Sequence, residues 1–366
     1  MLNDKTIAVV IPAFNEAAQI GAVIETMPAF VDRIVIVNDA STDRTAEIVM
    51  EYWGNGHNKG AGTIERCSFE IEKTRFNHAD VVLRELLSKE IDLFPPSVVG
   101  NKNPDTERII LINHCGNHGV GAAIARGYKW CKDHSIDCTA VMAGDGQMDP
   151  DELEGICQPV VCDGLDYVKG NRLIHRSAWL VVPKIRYFGN SILSILTKIA
   201  SGYWHVSDTQ TGYTAISLAA LNAIRLHHIY RSYGMPNDML VKLNIAMCTL
   251  KEVPIKPVYN VGEATKMKVL RVIPRISWLL TKLFFKRLWV KYLFRDFHPL
   301  FLLYNFAFLL TLCNIPYAYR VAYCMFSHEH VAITTFLSFL FLFISSFQAL
   351  LFAMWMDMQD NERLYK

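Results

Sequence analysis

Several patterns that would assign a common function are missing from this chain of 366 residues. No G-x-G-x-x-G follows the first predicted strand and no P-loop motif is present, which argues against a dinucleotide- or ATP-binding fold. The nine cysteines form neither a C-x-x-C pair nor a zinc-spaced cluster, so we expect free thiols in a reducing compartment. With a net charge of only +2, the chain as a whole favours no nucleic-acid partner.

The N-terminal segment lacks the pattern of a secretory signal peptide. It carries an early acid, Asp4, and its short apolar run ends at Pro12. We therefore expect the catalytic part to stay in the cytosol. Hydrophobic residues nevertheless make up 51% of the chain, and the excess lies near the C-terminus, which favours a membrane anchor over a larger core.

The first part of the chain alternates β-branched runs with helical patterns. This alternation predicts an α/β domain with a doubly wound sheet, in which ligands bind at the carboxyl ends of the strands. Asn15 is the predicted cap of the first helix, and Ser41 or Thr42 of the second. The predicted strands cover residues 6–14, 33–39, 108–114 and 139–145, and the predicted helices cover residues 16–27, 42–53 and 121–134.

A long polar stretch, residues 54–107, interrupts this alternation. It contains one predicted helix, residues 78–89, followed by the loop breaker Pro95-Pro96. We interpret it as an insertion in a cytosolic domain of residues 1–260, with a function that its sequence does not indicate.

The C-terminal part has the composition of a membrane anchor. Residues 266–297 hold nine Lys or Arg and a single acid among bulky aromatics, which is typical of a helix lying on an anionic membrane surface. The alternative is a cationic solvent face on a core helix. Two uncharged runs of 21 and 26 residues follow, each long enough to cross about 30 Å of hydrocarbon. We predict interfacial helices at residues 261–298, a two-helix transmembrane hairpin at 299–356 and a cytosolic tail at 357–366, an anchor that could also pack as a homo-oligomer.

Four short polar motifs follow predicted strands, and all should lie at one edge of the sheet. Alone, each is explained by a helix cap, a turn or the tight packing of glycine. Together they predict a single crevice. The motifs are PAFNE at residues 12–16, NDASTD at 38–43, NHGVGAA at 117–123 and DGQMDP at 145–150.

The order IPAFNE, VNDASTD, NHGVGAAIARG, MAGDGQMDP and GNRL resembles that of family 2 glycosyltransferases of the A-type fold. This resemblance covers about residues 6–50 and 108–215. With the basic helices and the membrane hairpin added, the chain is most similar to the polyprenyl-phosphate sugar transferases. The resemblance thus implies a nucleotide-diphospho-sugar donor and a polyprenyl phosphate acceptor.

The resemblance also implies roles for particular residues. Pro12, Phe14 and Glu16 would line a nucleobase pocket, Asp39 would bind base or ribose, and Asp145 would contact the donor. Asp145 and Gln147 fall on the metal-ligand positions of the family's Asp-x-Asp-x-Gln pattern, whereas Ala143 replaces its first acid. Mg²⁺ commonly uses only one or two carboxylates, with phosphates and waters, so we predict a working site for Mg²⁺ or Mn²⁺.

Three further residues are candidates for the chemistry. Arg172, in GNRL, could bind a diphosphate or a lipid phosphate in bidentate fashion, or could be a surface arginine. Asp208, in DTQTG, matches the family's D-x-x-[ST]-G segment. Asp238 is a second candidate acid. Each of the two aspartates could act as a general base. The alternative for each is a structural role in a helix cap or a turn.

The predicted reaction is inverting sugar transfer, with UDP as the default nucleotide. A lipid phosphate, whose second pKa is about 6, is largely dianionic at neutral pH and needs little base catalysis. A saccharide or lipid hydroxyl acceptor would require a base. Processive polysaccharide synthases use such a hydroxyl acceptor. The Q-x-x-R-W motif of these enzymes is missing from this chain, which argues against that alternative. A catalytically silent membrane protein that binds nucleotide sugar is the remaining alternative, and Ala143 is its only support.

Overall fold

The computed structural model describes residues 1–54, 62–68, 71–174, 177, 184–258 and 269–366. Parts of the predicted insertion and the start of the predicted basic segment lie outside these residues. Within them, eight strands form one sheet in the order β3-β4-β2-β1-β5-β7-β6-β8. The strands are β1 Ile7–Ala13, β2 Arg33–Asn38, β3 Ser97–Val99, β4 Ile109–His114, β5 Cys138–Val141, β6 Tyr167–Asn171, β7 Thr214–Ser217 and β8 Leu250–Pro254.

Eleven α-helices accompany the sheet in the part of the chain just given. They are α1 Ile20–Glu25, α2 Thr45–Gly54, α3 His78–Lys89, α4 Val120–Asp133, α5 Leu153–Val161, α6 Lys184–Ser201, α7 Leu218–Ala223, α8 Met235–Ile245, α9 Val269–Trp289, α10 Pro299–Phe326 and α11 Ile333–Glu362.

The predicted α/β class is confirmed, but the sheet is mixed rather than wholly parallel. Strands β4, β2, β1 and β5 run parallel, whereas β7 runs antiparallel to both β5 and β6. The ends of three strands are in register, since Ala13 pairs with Asn38 and Asn38 with Asn113. Val141 of β5 pairs with Thr214, so the loop before β7 meets this same edge. The carboxyl ends of β4, β2, β1 and β5 and the loop before β7 therefore lie at one edge of the sheet, where the crevice is predicted.

The sheet is buried on both faces, which explains the continuous β-branched runs. Every residue of β2 is buried. On one face, α4 packs so closely that a Cβ on Gly127 would lie 2.4 Å from a methyl group of Val10. This contact fixes the middle of α4 against the middle of β1.

The first helix begins later than predicted. Asn15 has a positive φ of 56° and does not cap it. Its Oδ1 instead accepts the backbone N–H of Thr42 at 2.8 Å. The chain therefore turns through residues 16–19, and α1 starts at Ile20.

Two helices among the described residues, α10 and α11, are long and apolar enough to cross a membrane. They pack against each other as a hairpin, and large apolar side chains such as Phe306, Leu312 and Phe341 remain exposed. After α11 the chain returns to the sheet, where Leu250 N–H donates to Leu364 O at 2.7 Å. The predicted tail therefore lies against the edge strand β8.

Candidate active site

The first two predicted motifs form one interlocked pair of loops. The backbone N–H groups of Asn15 and Glu16 donate to Ser41 Oγ and Thr45 Oγ1, both at 3.0 Å. The N–H of Ala17 donates to Asp43 Oδ2, also at 3.0 Å. The hydroxyl and carboxyl groups of the second loop thus hold the first loop in place. Of the predicted nucleobase residues, Phe14 and Glu16 lie on this held loop and Pro12 lies at the end of β1, and all three are partly or largely exposed.

Asp39 joins β2 to the loop before α4. Its Oδ1 accepts from His114 Nδ1 at 2.7 Å and from His118 N at 2.9 Å, and its Oδ2 accepts from Gly119 N at 2.7 Å. Burial acts to raise the pKa of Asp39, but these hydrogen bonds outweigh it and the pKa is lowered. Asp39 is therefore an ionised carboxylate. It holds the loop before α4 in place beside the predicted nucleotide site. Sequence reasoning missed His114, whose only signal was a histidine ending a buried strand.

The acidic turn after β5 packs against the first loop. A Cβ on Gly144 would lie 3.3 Å from Pro12 O and 3.7 Å from Glu16 Cγ. Gly146 has a φ of +72°, which only glycine adopts readily. Asp145 lies between these glycines, and its Oδ1 accepts Gln147 N–H at 3.1 Å. The turn thus brings Asp145 beside the predicted donor loop.

The other side of the acidic turn contacts the loop that leads into β7. Tyr213 OH donates to Asp149 O at 2.9 Å, and a Cβ on Gly212 would lie 3.6 Å from Met148 Cε. Asp149 caps the short 3-10 helix Pro150–Glu152 by accepting Asp151 N–H. The backbone N–H of Ala143 donates to Met148 Sδ at 3.1 Å, a contact that does not depend on the side chain at this position.

Arg172 and Asp208 form a bidentate ion pair at the end of β6. Arg172 Nε donates to Oδ2 at 2.8 Å, and a terminal guanidinium nitrogen donates to Oδ1 at 3.1 Å. The Asp208 side chain is 1% exposed and that of Arg172 is 25% exposed. Burial acts to raise the pKa of Asp208, but Arg172 and Lys169 outweigh it and the pKa is lowered. Such a carboxylate is a poor general base, because a base works best with a pKa near the operating pH.

Two charged residues that sequence reasoning missed, the buried Lys169 and the half-buried Glu252, complete this cluster. Lys169, in β6, donates to Thr211 O, and burial lowers its pKa to about 8. Glu252, in β8, accepts the backbone N–H of Ser207 at 3.0 Å and that of Asp208 at 3.1 Å, and burial raises its pKa. A lone lysine inside the apolar run YVKG was the available signal for Lys169.

Asp238 lies in α8 and has partners of its own. Its Oδ2 accepts the Tyr230 N–H at 2.8 Å and pairs with Lys242 one helical turn later. The preceding residue, Asn237, reaches the loop before β7, where its Oδ1 accepts Gln210 Nε2 at 3.1 Å. The Asp238 carboxylate thus holds the turn before α8. This structural role argues against Asp238 as the general base.

Among the described residues, no cluster of three His, Cys, Asp or Glu could hold a metal ion. A metal at the acidic turn would therefore depend on Asp145, on the side-chain oxygen of Gln147 and on phosphate oxygens of a bound donor. This set suits a hard cation such as Mg²⁺, which takes oxygen ligands and commonly uses few carboxylates.

Comparison with known proteins agrees with this arrangement. The family model described as Glycosyl transferase family 2 matches residues 8–59, which include β1, β2 and the two interlocked loops. This part of the chain thus matches a family 2 glycosyltransferase domain. The predicted glycosyltransferase activity and A-type fold are confirmed, as is the resemblance to polyprenyl-phosphate sugar transferases.

Two relatives carry names that bear on the acceptor. The chain is 28% identical over 258 residues to UDP-N-acetylglucosamine–dolichyl-phosphate N-acetylglucosaminyltransferase of Methanococcus voltae, covering 70% of this chain and 87% of the relative. It is 26% identical over 146 residues to undecaprenyl-phosphate mannosyltransferase of Micrococcus luteus, covering 40% and 59% of the two chains. Among solved structures, glucosyl-3-phosphoglycerate synthase of Mycobacterium tuberculosis, with Mn²⁺ and UDP, matches at 15% identity and a TM-score of 0.45, covering 78% of this chain and 80% of the other.

Proposed function

We propose that this glycosyltransferase moves a sugar, with inversion, from a UDP-sugar to a polyprenyl phosphate on the cytosolic leaflet of a membrane. One observation carries the proposal: a single chain joins a strand-end site, in which Asp145 follows β5 and Arg172 follows β6, to two helices apolar enough to cross a membrane. The names of the two relatives, which include dolichyl phosphate and undecaprenyl phosphate, support the same acceptor class.

On the donor side, Pro12, Phe14 and Glu16 would line the nucleobase pocket. Asp39 would hold the neighbouring loop in shape and offer its remaining lone pairs to base or ribose. Asp145 and Gln147 would hold Mg²⁺ or Mn²⁺ together with the donor diphosphate. The metal would supply positive charge where the leaving diphosphate becomes more negative.

On the acceptor side, Arg172 would bind a phosphate, since its guanidinium is partly exposed while Asp208 fixes its orientation. A phosphate acceptor is already an anionic nucleophile at neutral pH, so the site needs no strong base. The lowered pKa of Asp208 agrees with this requirement. It disfavours the alternative hydroxyl acceptor, for which Asp208 or Asp238 would have to remove a proton.

The membrane side of the proposal rests on exposed apolar side chains outside the hairpin. On α6, Ile192 and Ile195 are 61% and 58% exposed, and on α9, Trp278 is 70% exposed. Such side chains beside exposed lysines are typical of helices that lie in a membrane interface. We propose a catalytic domain of residues 1–260, an interfacial segment at 261–298 and a membrane hairpin at 299–356.

The test uses the full chain purified in detergent. UDP- and GDP-sugars are supplied with Mg²⁺ or Mn²⁺ and with undecaprenyl or dolichyl phosphate, and products are identified by mass spectrometry. We expect a lipid-phosphate glycoside, and we expect Asp145→Asn to lower its rate about 100-fold. The control is Asp151→Asn, which removes an exposed charge from the same segment and should leave the rate unchanged.

Each other outcome rejects part of the proposal. Glycosylation of a hydroxyl compound but of no lipid phosphate would support the alternative acceptor. A rate independent of metal and of Asp145 would reject the proposed metal site. No turnover of any donor would support the nucleotide-sugar-binding protein instead.

A further inference from the structure

The loop of residues 202–212 lies between α6 and β7 and carries the partner of Arg172. Its shape depends on groups at both of its ends. Asp208 accepts the backbone N–H groups of Gln210 and Thr211, each at 3.2 Å, so the loop folds around the carboxylate that holds Arg172. Any displacement of this loop would therefore move the guanidinium.

The start of this loop is held by Arg287 of α9, which is paired in turn with the C-terminal part of α11. Arg287 of α9 is buried and pairs with Asp357 of α11 through two bonds of 2.7 and 2.8 Å. The same guanidinium donates to Ile199 O and Ala200 O, both at 3.0 Å. It also lies over Gly202, which has a φ of +79° and where a Cβ would come within 2.5 Å of the guanidinium.

The rest of the loop is reached from the residues that follow α11. Leu250 N–H donates to Leu364 O at 2.7 Å, and Lys366 N–H donates to Leu250 O at 2.9 Å, so the tail extends the sheet beside β8. Two residues further along β8, Glu252 accepts the backbone N–H of Asp208. The tail also lies against the loop directly, because the rings of His205 and Tyr365 are 5.3 Å apart.

We propose that residues 357–366 form a positioning element that fixes Arg172 through the 202–212 loop. One set of contacts begins at Asp357 of α11 and the other at residues 364–366, which follow α11, and both sets converge on the same loop. This proposal rests on the proposed function, in which Arg172 binds the acceptor phosphate. Residues 357–366 would thus act on acceptor use and not on donor binding, although none of them touches either substrate.

The test compares the full chain with two variants, Asp357→Asn and a chain without residues 364–366. The matched control is Glu362→Gln, at an exposed position of α11 between the two contact regions. Initial rates are measured with undecaprenyl phosphate and with water-soluble farnesyl phosphate, and UDP binding with Mn²⁺ is measured by calorimetry. We expect KM for both acceptors to rise about tenfold in each variant, with UDP affinity changed by no more than about twofold.

The other outcomes overturn the proposal. Equal losses in UDP affinity and acceptor use would indicate a general structural role, and a loss confined to undecaprenyl phosphate would indicate a tether to the membrane only. Unchanged kinetics would exclude any coupling. Tyr365→Ala, which removes only the ring beside His205, tests the same coupling if the larger changes prevent folding. A wild-type protein that glycosylates neither phosphate would instead reject the proposed function.

Discussion

At the scale of single residues, the cluster around Arg172 shows how burial and charge compete. Lys169 and Arg172 face the carboxylates of Asp208 and Glu252, so formal charge is balanced. The balance is uneven in detail. Asp208 takes both bonds of the arginine fork, whereas Lys169 donates to a backbone carbonyl and is fully buried. Burial therefore destabilises the charged form of Lys169, as it does that of Glu252.

This effect of burial on Lys169 predicts a pH dependence of stability. The folded chain releases the Lys169 proton above about pH 8, and the unfolded chain only near the ordinary pKa of 10.5. Between these values the unfolded state binds more protons at this residue, so its contribution makes the free energy of unfolding rise with pH. Below pH 8 both states are protonated and the contribution is constant. Lys169→Met should remove this rise.

The measurement is thermal unfolding in detergent at several pH values on either side of 8, with the variant subtracted from the wild type. Lys251→Met is the control, because Lys251 is a partly exposed lysine of the neighbouring strand β8. A difference curve that is flat with pH for Lys169→Met would contradict the prediction.

At the scale of elements, the strands that the sequence predicted are those buried on both faces. β1, β2, β4 and β5 are continuous apolar runs, and such a run identifies a strand without any partner. β3 has only three residues, and β7 and β8 are short and mixed in polarity, so their pairing depends on the strands beside them. The same limit applies to the site. His114 is 75 residues from Asp39, and Asp208 is 36 from Arg172, so no local spacing could have paired them.

The glycines of the GVG motif give a prediction at this scale. The Gly121 N–H donates to Arg231 O at 3.0 Å, and a Cβ on Gly121 would lie 2.0 Å from Tyr230 O. Gly121→Ala must therefore push the start of α4 away from the turn before α8. We expect it to lower the free energy of unfolding by about 1–3 kcal/mol, the usual cost of overpacking.

A second helical glycine provides the control. A Cβ on Gly155 of α5 would meet nothing within 4 Å, so Gly155→Ala should be neutral or stabilising by up to about 1 kcal/mol, owing to the better helix propensity of alanine. The measurement is the unfolding midpoint of each variant, and we expect that of Gly121→Ala to be the lower of the two. Equal midpoints would mean that the motif's close packing contributes nothing to stability.

At the scale of the whole molecule, the proposed catalytic domain and the hairpin of α10 and α11 are joined by polar contacts as well as by the chain. Lys291, just after α9, donates from Nζ to Asn361 Oδ1 at 2.6 Å and to Asn244 Oδ1 at 3.2 Å. These bonds link the segment that follows α9 to α11 and α8. A buried polar group lowers the stability of the fold unless it has a hydrogen-bond partner. This junction is therefore stable in the one geometry that pairs all of its polar groups. A fixed junction would set the crevice at a constant height above the bilayer, where a lipid headgroup lies.

The exposed face of α9 gives the last prediction. Lys282 and Lys286 are exposed beside the aromatic side chains of Trp278, Phe285 and Trp289. Each lysine near an anionic surface contributes about 1 kcal/mol of attraction, which salt screens over about 10 Å at 0.1 M. In vesicles with increasing phosphatidylserine, we expect wild-type transferase activity to rise and the double variant Lys282→Glu/Lys286→Glu to lose that rise. Lys89→Glu, on α3 of the predicted insertion, should behave as wild type. If all three proteins respond equally to the anionic lipid, α9 does not lie on the membrane surface, and the hairpin alone would account for attachment.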